Sequence, residues 1–442
     1  MKNRNIYQLV FCCLFFLVSC EDQLNVEPTL SISDEAALTS AASINKLLIG
    51  TYQVAGNANS HGGFVQIFSD LLGADDQVTW NGTYTEPREV LTKEMLAGNL
   101  IINDVWKNLY KVISQANLVL GHLDVVTDDV ERARIEGEAR FLRALNYFEL
   151  VRLFGNQTLG VPLRLEPIED YGADLSLARN PISEVYDAIF NDLDLAFVLL
   201  PEDNDVYADK YAAEALLARV HLYLGQYDKA RDAADDVINN GGKALSGSFA
   251  DAFNHEEDSE EDIFAMQVSS QSGDNQLNDM YASEDFGGRG GDISINQSYL
   301  DFFDDPNDER SLFFYENPKG DRLTGKYTNQ FGNIPIIRLA EMLLIRAESN
   351  VRLGTATGAE PLDDVNAIRQ RSGAAALASV TLDDILDERM RELAFEGFWI
   401  YDVKRTHGTV QGINYDDPKL EMPIPQAEMD TNSLMEQNSA YQ

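Results

Sequence analysis

The sequence has only three cysteines, and all of them lie in its first twenty residues: Cys12, Cys13 and Cys20. A chain of 442 residues is long enough to bury a large apolar core, so its stability does not require disulfides. Basic residues are also scarce, with 34 Lys and Arg against 73 Asp and Glu and a net charge of -39. Because proteins bind nucleic acid through cationic patches, this charge excludes a nucleic-acid partner.

The motifs that mark common active sites are missing as well. The five histidines are scattered and none stands in an H-E-x-x-H pair, and the sequence has no G-x-S-x-G or Walker motif. Carboxylates are too abundant for any one pair to indicate a glycosidase. The glycine cluster Gly287–Gly291 has no preceding strand or following helix, so we predict a flexible loop rather than a phosphate cradle. The acidic run 256–262 is typical of a solvated segment. We therefore predict a protein that is not an enzyme, with no cofactor and no metal site.

The N-terminus has the pattern of a bacterial lipoprotein. Lys2 and Arg4 precede the apolar run 9–18, which is shorter than the roughly 20 residues that a permanent membrane helix needs. The run closes on Leu17-Val18-Ser19-Cys20, which resembles a lipobox. We expect residues 1–19 to be a signal peptide that is removed, and Cys20 to carry the lipid. No later stretch has 18 uninterrupted apolar residues.

Most of the remaining chain, 20–442, shows helical periodicity, with apolar residues recurring at spacings of three and four. The pattern predicts helices over about 101–123 and 131–154, and a third that starts with Asn180 as its N-cap and Pro181 in its first turn. Segments 212–238 and 336–371 each place a small alanine seven residues before a glycine, as tetratricopeptide hairpins do. The sequence therefore predicts a mostly α-helical body built from helix pairs.

Two long segments, about 57–98 and 241–333, interrupt the helical pattern. Both are rich in turn residues, and the second contains short extended candidates at 263–268 and 311–315. Insertions of this length in a compact helical body usually carry function. We therefore expect them to form a loop-rich face with short strands.

Four segments together resemble the SusD/RagB family. They are GEARFLRALNYFELVRLFG (137–155), IPIIRLAEMLLIRAE (334–348), ERMRELAFEGFWIYDVKR (388–405) and PIPQAEMDTNSLMEQNSAY (423–441). The resemblance implies about four tetratricopeptide-like helix pairs, a nutrient-binding face, a lipid anchor at the outer membrane and a SusC-like TonB-dependent transporter as partner. The acidic pair Glu21-Asp22 resembles the tag that directs such lipoproteins to the cell exterior. Trp399 departs from the family pattern, which usually has an arginine there.

The candidate ligand contacts are aromatic residues with polar neighbours, because a sugar offers an apolar ring face and a rim of hydroxyls. We expect Trp80 to be exposed, since Gly, Asn and Thr surround it. The predicted ligand-binding residues are Trp80, Asn81 and Tyr84 in the first insertion, and Tyr281, Phe286, Arg289, Asp292 and Tyr315 in the second.

The charged residues of 388–405, together with Arg140, Arg143, Arg338 and Glu341, are predicted to form structural ion pairs instead. The sequence thus favours capture of an oligosaccharide or polysaccharide at the cell surface and its delivery to the transporter. Peptide capture, a surface glycoside hydrolase and a tetratricopeptide scaffold for protein partners are the alternatives.

Overall fold

The computed structural model describes residues 38–168, 172, 174–271, 273–303 and 305–442, and they form a mostly helical protein. The N-terminal signal segment and Cys20 lie outside these residues. The α-helices, in chain order, are α1 Ala41–Ala55, α2 Phe64–Gly73, α3 Thr85–Thr92, α4 Leu100–Gly121, α5 Asp129–Phe154, α6 Ile182–Leu199, α7 Lys210–Tyr223, α8 Tyr227–Asn240, α9 Gln276–Tyr281, α10 Gln297–Leu300, α11 Glu309–Leu312, α12 Leu339–Leu353, α13 Pro361–Arg371, α14 Leu382–Glu392, α15 Trp399–Arg405 and α16 Gln426–Thr431.

The strands are short and pair only two at a time. They are β1 Val78–Trp80, β2 Asp262–Met266, β3 Ile293–Ile295, β4 Phe314–Glu316, β5 Arg322–Thr324, β6 Ile334–Arg338, β7 Thr409–Val410 and β8 Ile413–Asn414. The antiparallel pairs are β1 with β3, β2 with β6, β4 with β5, and β7 with β8. Since β1 and β3 belong to the two insertions, this pairing joins segments that are distant in the sequence.

Consecutive helices pack against each other along the body, so the predicted helix pairs are confirmed. Helix α4 packs on α5, α5 on α6, α6 on α7 and α7 on α8, and α8 in turn packs on α12, which contacts α13 and α14. The glycines of the two predicted hairpins, Gly225 and Gly354, follow α7 and α12 in left-handed backbone conformation (φ 69° and 65°). Amphipathic faces of these helices contribute most of one large apolar core that runs from Ile44 to Met435.

The third predicted helix begins one residue later than expected. Its N-cap is Pro181, and the helix starts at Ile182. The Asn180 side chain does not cap it through the backbone; its Oδ1 accepts a hydrogen bond from Leu163 N (2.9 Å) and its Nδ2 donates to Glu184 (2.8 Å). Asn180 therefore links the preceding loop to the first helical turn through side chains, without capping a backbone amide of the helix.

The first insertion is less irregular than the sequence predicted. Its segment 64–73 forms α2, and every residue of this helix is buried. Gly73 lies so close to α15 that an added Cβ would be 2.2 Å from Ile400 N. The polar residues at 57–60 and 81–85 made the whole insertion look like a solvated loop, although it contains a core helix. The exposed residues of this insertion that belong to the ligand-binding side follow Gly73.

A buried network of ion pairs joins the C-terminal helices to β6. Arg338 Nη1 lies 2.8 Å from Glu261 and 3.1 Å from Glu392, and its Nη2 lies 2.8 Å from Glu396. Burial raises the pKa of Glu392, but Arg371, Arg338 and Arg310 outweigh it and hold that pKa below its ordinary value. We call this the buried ion network, and it includes Glu261, Asp308, Arg310, Lys326, Arg338, Arg369, Arg371, Glu388, Glu392 and Glu396.

The structural role that the sequence predicted for the other charged pairs is confirmed. Arg143 and Arg140 both pair with Asp192, and Glu341 pairs with Arg219 at 2.6 Å. The acidic run 256–262 divides: Glu256 and Glu257 are exposed as predicted, whereas Glu261 and Asp262 are buried. Because Glu261 neutralises Arg338, that end of the run belongs to the core.

Candidate ligand-binding face

The strand pair β1–β3 brings the two groups of predicted ligand residues together. Val78, Thr79 and Trp80 lie opposite Ile295, Ser294 and Ile293. Asn81 continues the pairing: its amide N donates to Asp292 O (2.7 Å), and its Nδ2 donates to Ser294 Oγ (2.9 Å). We call the exposed surface formed by Asn81, Tyr84, Phe286, Arg289, Asp292 and Tyr315 the ligand face.

Trp80 is not part of this exposed surface, and the expectation that it stacks on a ligand is corrected. Its side chain is only 7% exposed and belongs to the apolar core. The indole Nε1 donates to Tyr84 O at 2.9 Å. The loop 81–84 closes over the ring so tightly that a Cβ at Gly82 would be 2.4 Å from Trp80 Cζ2 and 2.8 Å from Asp292 Cγ. Trp80 therefore packs under the loop 81–84 and supports it. The prediction of exposure was wrong because it relied on the polar residues next to Trp80 in the sequence.

Tyr84 takes the exposed position. It is 41% exposed and directly precedes α3. The Arg289 guanidinium carbon lies 4.2 Å from the centre of the Tyr84 ring, a distance typical of a cation–π contact. One group thus comes from each insertion, and the guanidinium lies over one face of the ring and places a positive charge on the ligand face.

Asp292 lies beside Arg289, and one of its carboxylate oxygens is buried without a hydrogen-bond donor. Its Oδ2 is 3.7 Å from Arg289 Nε, too long for a hydrogen bond, and no protein group donates to this buried oxygen. Burial raises the pKa of Asp292, while Arg289 lowers it. A ligand hydroxyl could donate to Asp292 while Arg289 donates to a ligand oxygen. The pair thus offers a sugar one hydrogen-bond acceptor and one donor.

The glycine cluster is a tight, hydrogen-bonded turn rather than the open loop that the sequence suggested. Arg289 N donates to Asp279 O (3.0 Å), and the amides of Gly290 and Gly291 both donate to Ala282 O. Gly291 has φ 80°, and a Cβ there would be 2.5 Å from the Leu323 side chain. Glycine is needed for this close approach, and the turn fixes the backbone that presents Arg289.

Phe286 and Tyr315 form the second aromatic part of the ligand face. Phe286 is 42% exposed, and its ring meets Tyr315 edge to face at 5.0 Å. The Tyr315 hydroxyl accepts a hydrogen bond from Ser283 N at 2.9 Å, and its strand β4 is held by β5. Tyr315 is thus fixed, and Phe286 offers the free ring.

Tyr281 is the second predicted ligand residue that the structure places in the core. It is 1% exposed and packs on Tyr327 (5.6 Å) and Phe395 (5.8 Å). The helical turn 276–281 directs it inward, which its loop-like sequence context did not indicate. Burial raises the pKa of Tyr281 well above its ordinary value, so it remains a neutral core phenol.

Sequence reasoning missed polar groups that border the ligand face. Arg88 donates to Gly82 O (3.1 Å), and the exposed Lys319 has its Nζ within 3.9 Å of the Cβ position of Gly290. These contacts arise only when segments distant in the sequence meet. In the described residues no group of three His, Cys, Asp or Glu side chains is arranged to hold a metal ion.

Comparison with known proteins places this fold in a family. A family model described as starch-binding and associating with the outer membrane matches residues 22–222, and a model of the SusD family matches residues 314–441. The chain belongs to the SusD/RagB family. SusD-like proteins bind carbohydrate and are not catalysts, so the family places the chain among binding proteins rather than enzymes.

Its relatives include two SusD-like proteins of Formosa agariphila. P25 is 29% identical over 58% of this chain and 49% of its own length, so the chain matches about half of that relative; P2 is 25% identical over 98% and 99%. The starch-binding protein SusD of Bacteroides thetaiotaomicron is 24% identical over 74% of this chain and 76% of its own length. A crystal structure of a SusD superfamily protein from the same species has a TM-score of 0.81 at 26% identity, covering 90% of this chain and 99% of that one.

Proposed function

We propose that this protein captures a glycan on the ligand face and delivers it to a TonB-dependent transporter in the outer membrane. The observation that carries the proposal is the pair of exposed rings, Tyr84 from the first insertion and Phe286 from the second, with Arg289 over the Tyr84 ring and Asp292 beside Arg289. Rings of this kind stack on the C–H face of a sugar, and a charged pair such as Arg289 and Asp292 can hydrogen-bond to its hydroxyls. The starch-binding description of the matching family model supports the same ligand class.

The membrane part of the proposal rests on the family and on the N-terminal pattern. The matching family model describes association with the outer membrane. The lipobox-like Leu17-Val18-Ser19-Cys20 would supply a lipid anchor. In the described residues no helix is long and apolar enough to cross a bilayer, so attachment would depend on this lipid and on the partner. Recovery of a large outer-membrane transporter with the tagged protein after mild detergent extraction would support delivery.

The binding test uses a panel of soluble probes: starch, laminarin, xylan, galactomannan, alginate and casein peptides. Affinity electrophoresis identifies a ligand, and titration calorimetry then compares the purified wild type with Tyr84→Ala and Phe286→Ala. We expect each variant to bind at least about tenfold more weakly, because truncating an aromatic anchor costs about 2 kcal/mol.

The matched control is Tyr227→Ala, a half-exposed tyrosine at the start of α8 in the helical scaffold, whose ring centre lies 4.8 Å from the Arg352 guanidinium carbon. It should leave affinity unchanged. Unchanged affinity in both face variants would show that the site lies elsewhere. Binding of the casein peptides alone would replace the glycan with a peptide ligand.

A further inference from the structure

A second concave surface surrounds the loop between α6 and α7, and its lining shares no residue with the ligand face. A cavity of about 380 Å³ is bounded by residues 202–211, the turn after α8 and the start of β2. A smaller one of about 160 Å³ is bounded by α1 and the segment 265–267. Val206 and Tyr207 line both cavities, so Tyr207 stands between two adjoining hollows. We call them together the Tyr207 groove.

The Tyr207 ring is held in place by the scaffold. Its centre is 4.9 Å from that of Tyr52, at an interplanar angle of 55°. The Tyr52 hydroxyl accepts a hydrogen bond from Ala208 N (3.1 Å), and Asn204 Nδ2 donates to Ala208 O (2.8 Å) and to Glu138 (3.0 Å). Tyr207 remains partly exposed. A pre-positioned ring loses little entropy when a ligand stacks on it.

The rim of the groove is acidic and amide-rich. Its larger hollow is lined by Glu202, Asp203, Asp205, Asp209 and Asp258 with Lys243 as the one cation, and amides come from Asn240, Gln53 and Gln267. This excess of carboxylates repels uronate and sulfate groups. In the part of the chain that the structure describes, no three such groups are arranged to hold a metal ion. Carboxylate and amide acceptors suit the hydroxyl donors of an uncharged sugar.

We propose that the Tyr207 groove is a second glycan site, which binds an uncharged oligosaccharide segment with one sugar stacked on Tyr207 and its hydroxyls donating to the acidic rim. This inference rests on the proposed glycan-binding function but adds a site that is separate from the ligand face. The two sites differ in charge, because Arg289 stands at the ligand face and carboxylates dominate the groove. A chain with two sites can hold one polysaccharide at two points, and the second contact then forms at a high effective concentration.

The experiment counts binding sites by titration calorimetry of the whole protein with uncharged oligosaccharides: maltoheptaose, laminarihexaose, xylohexaose and mannohexaose. The proposal predicts two oligosaccharides per chain of wild type for at least one of these probes. Tyr207→Ala should leave one, and so should the face variant Tyr84→Ala/Phe286→Ala. Tyr207→Phe keeps the ring and should retain both sites, and circular dichroism melting verifies the fold of each variant.

Each result decides between the two proposals. If Tyr207→Ala changes neither stoichiometry nor affinity while the face variant abolishes binding, the groove is not a site and the ligand face stands. If binding is lost in Tyr207→Ala alone, the groove stands and the ligand face fails. Failure of all four probes to bind the wild type overturns the groove proposal. Binding of tetralysine in the groove, weakening as salt rises, would overturn it in favour of a cationic ligand.

Discussion

Charged side chains occupy opposite environments in the helical scaffold and on the ligand face. Arg338 in the scaffold is 2% exposed and lies within 3.1 Å of three carboxylates. Arg289 on the ligand face has 31% of its side chain exposed and faces a single carboxylate at 3.7 Å. The scaffold neutralises its charges internally, so they are not available to a ligand. The ligand face leaves hydrogen-bonding capacity unused, which is what a binding surface requires.

The largest effect that this comparison predicts is that of Arg338→Ala. The variant would remove the one cation that Glu261, Glu392 and Glu396 share, and they would keep only their contacts with Arg371, Arg310 and Lys326. Breaking a buried ion pair from one side is strongly destabilising. We expect a loss of about 5 kcal/mol in the free energy of unfolding, the upper end for such a change. Urea denaturation followed by circular dichroism measures it. A loss below about 1 kcal/mol would mean that the network behaves like a solvated surface cluster.

A smaller but still large effect is expected for Trp80→Ala, which tests the boundary between the scaffold and the ligand face. Because Trp80 is buried under loop 81–84, the change should cost about 3 kcal/mol in stability, the lower end for truncating a core aromatic. Tyr84→Ala should lower stability by less than about 0.5 kcal/mol, as expected at an exposed position. Thermal unfolding of both variants tests whether Trp80 belongs to the scaffold and Tyr84 to the ligand face. Equal losses would contradict the division into a supporting and a contacting aromatic.

The helical scaffold was predictable because its determinants are local. Apolar residues at helical spacing identified α4 and α5, and the Ala218–Gly225 and Ala347–Gly354 spacings identified two hairpins. Local patterns fix such elements, and only their exact ends, as at Ile182, depended on contacts with other segments. That the charged residues form structural ion pairs was predictable, but most of their partners were not. The pairs Arg143–Asp192, Arg219–Glu341 and Arg338–Glu392 join different elements, so helical spacing does not identify them.

The ligand face was only partly predictable, because it depends on the β1–β3 pairing between residues more than 200 positions apart. Composition around Trp80 suggested a solvated loop, and nothing in it showed that Gly82 would let the chain fold back over the indole. Tyr281 was misplaced because a short helix directs it inward. Asn81 and Asp292 are brought together by the strand pair, and whether they contact a ligand remains a prediction.

Asp70 is a scaffold carboxylate that differs from those of the buried ion network, because it hydrogen-bonds to backbone amides rather than to a cation. It accepts from Gly397 N (2.9 Å) and Trp399 N (3.3 Å), and burial raises its pKa to about 7. A raised pKa favours the folded state at low pH, and this contribution is lost as pH rises from about 4 to about 7. Wild type should therefore lose stability relative to Asp70→Asn over this range, by a change on the order of 4 kcal/mol.

Urea denaturation of both proteins at pH 4, 5.5, 7 and 8 measures this difference. The comparison with Asp70→Asn cancels the other groups that titrate over the same range. A difference that stays constant across the four pH values would show that folding does not raise the pKa of Asp70, and hence that its amide donors offset the effect of burial.

The smallest stability effect is expected at the opposite end of the comparison, for Arg289→Ala. The side chain stacks on an exposed ring and faces Asp292 across 3.7 Å; exposed pairs of this kind contribute about 0–1 kcal/mol, and an exposed cation–π contact adds about 0.5–1 kcal/mol. Because the backbone of the turn is held by its own hydrogen bonds, we expect the free energy of unfolding to fall by less than about 1 kcal/mol. Affinity for the glycan found in the panel should nevertheless fall by at least about tenfold if, as we propose, Arg289 donates to the ligand as well as holding the Tyr84 ring. Arg289→Lys, which keeps the charge but not the planar stacking surface, separates the two roles: it should restore little affinity if stacking dominates. A loss of stability as large as that of Arg338→Ala, with unchanged affinity, would place Arg289 in the scaffold. The ligand face would then lack a cation that contacts the ligand.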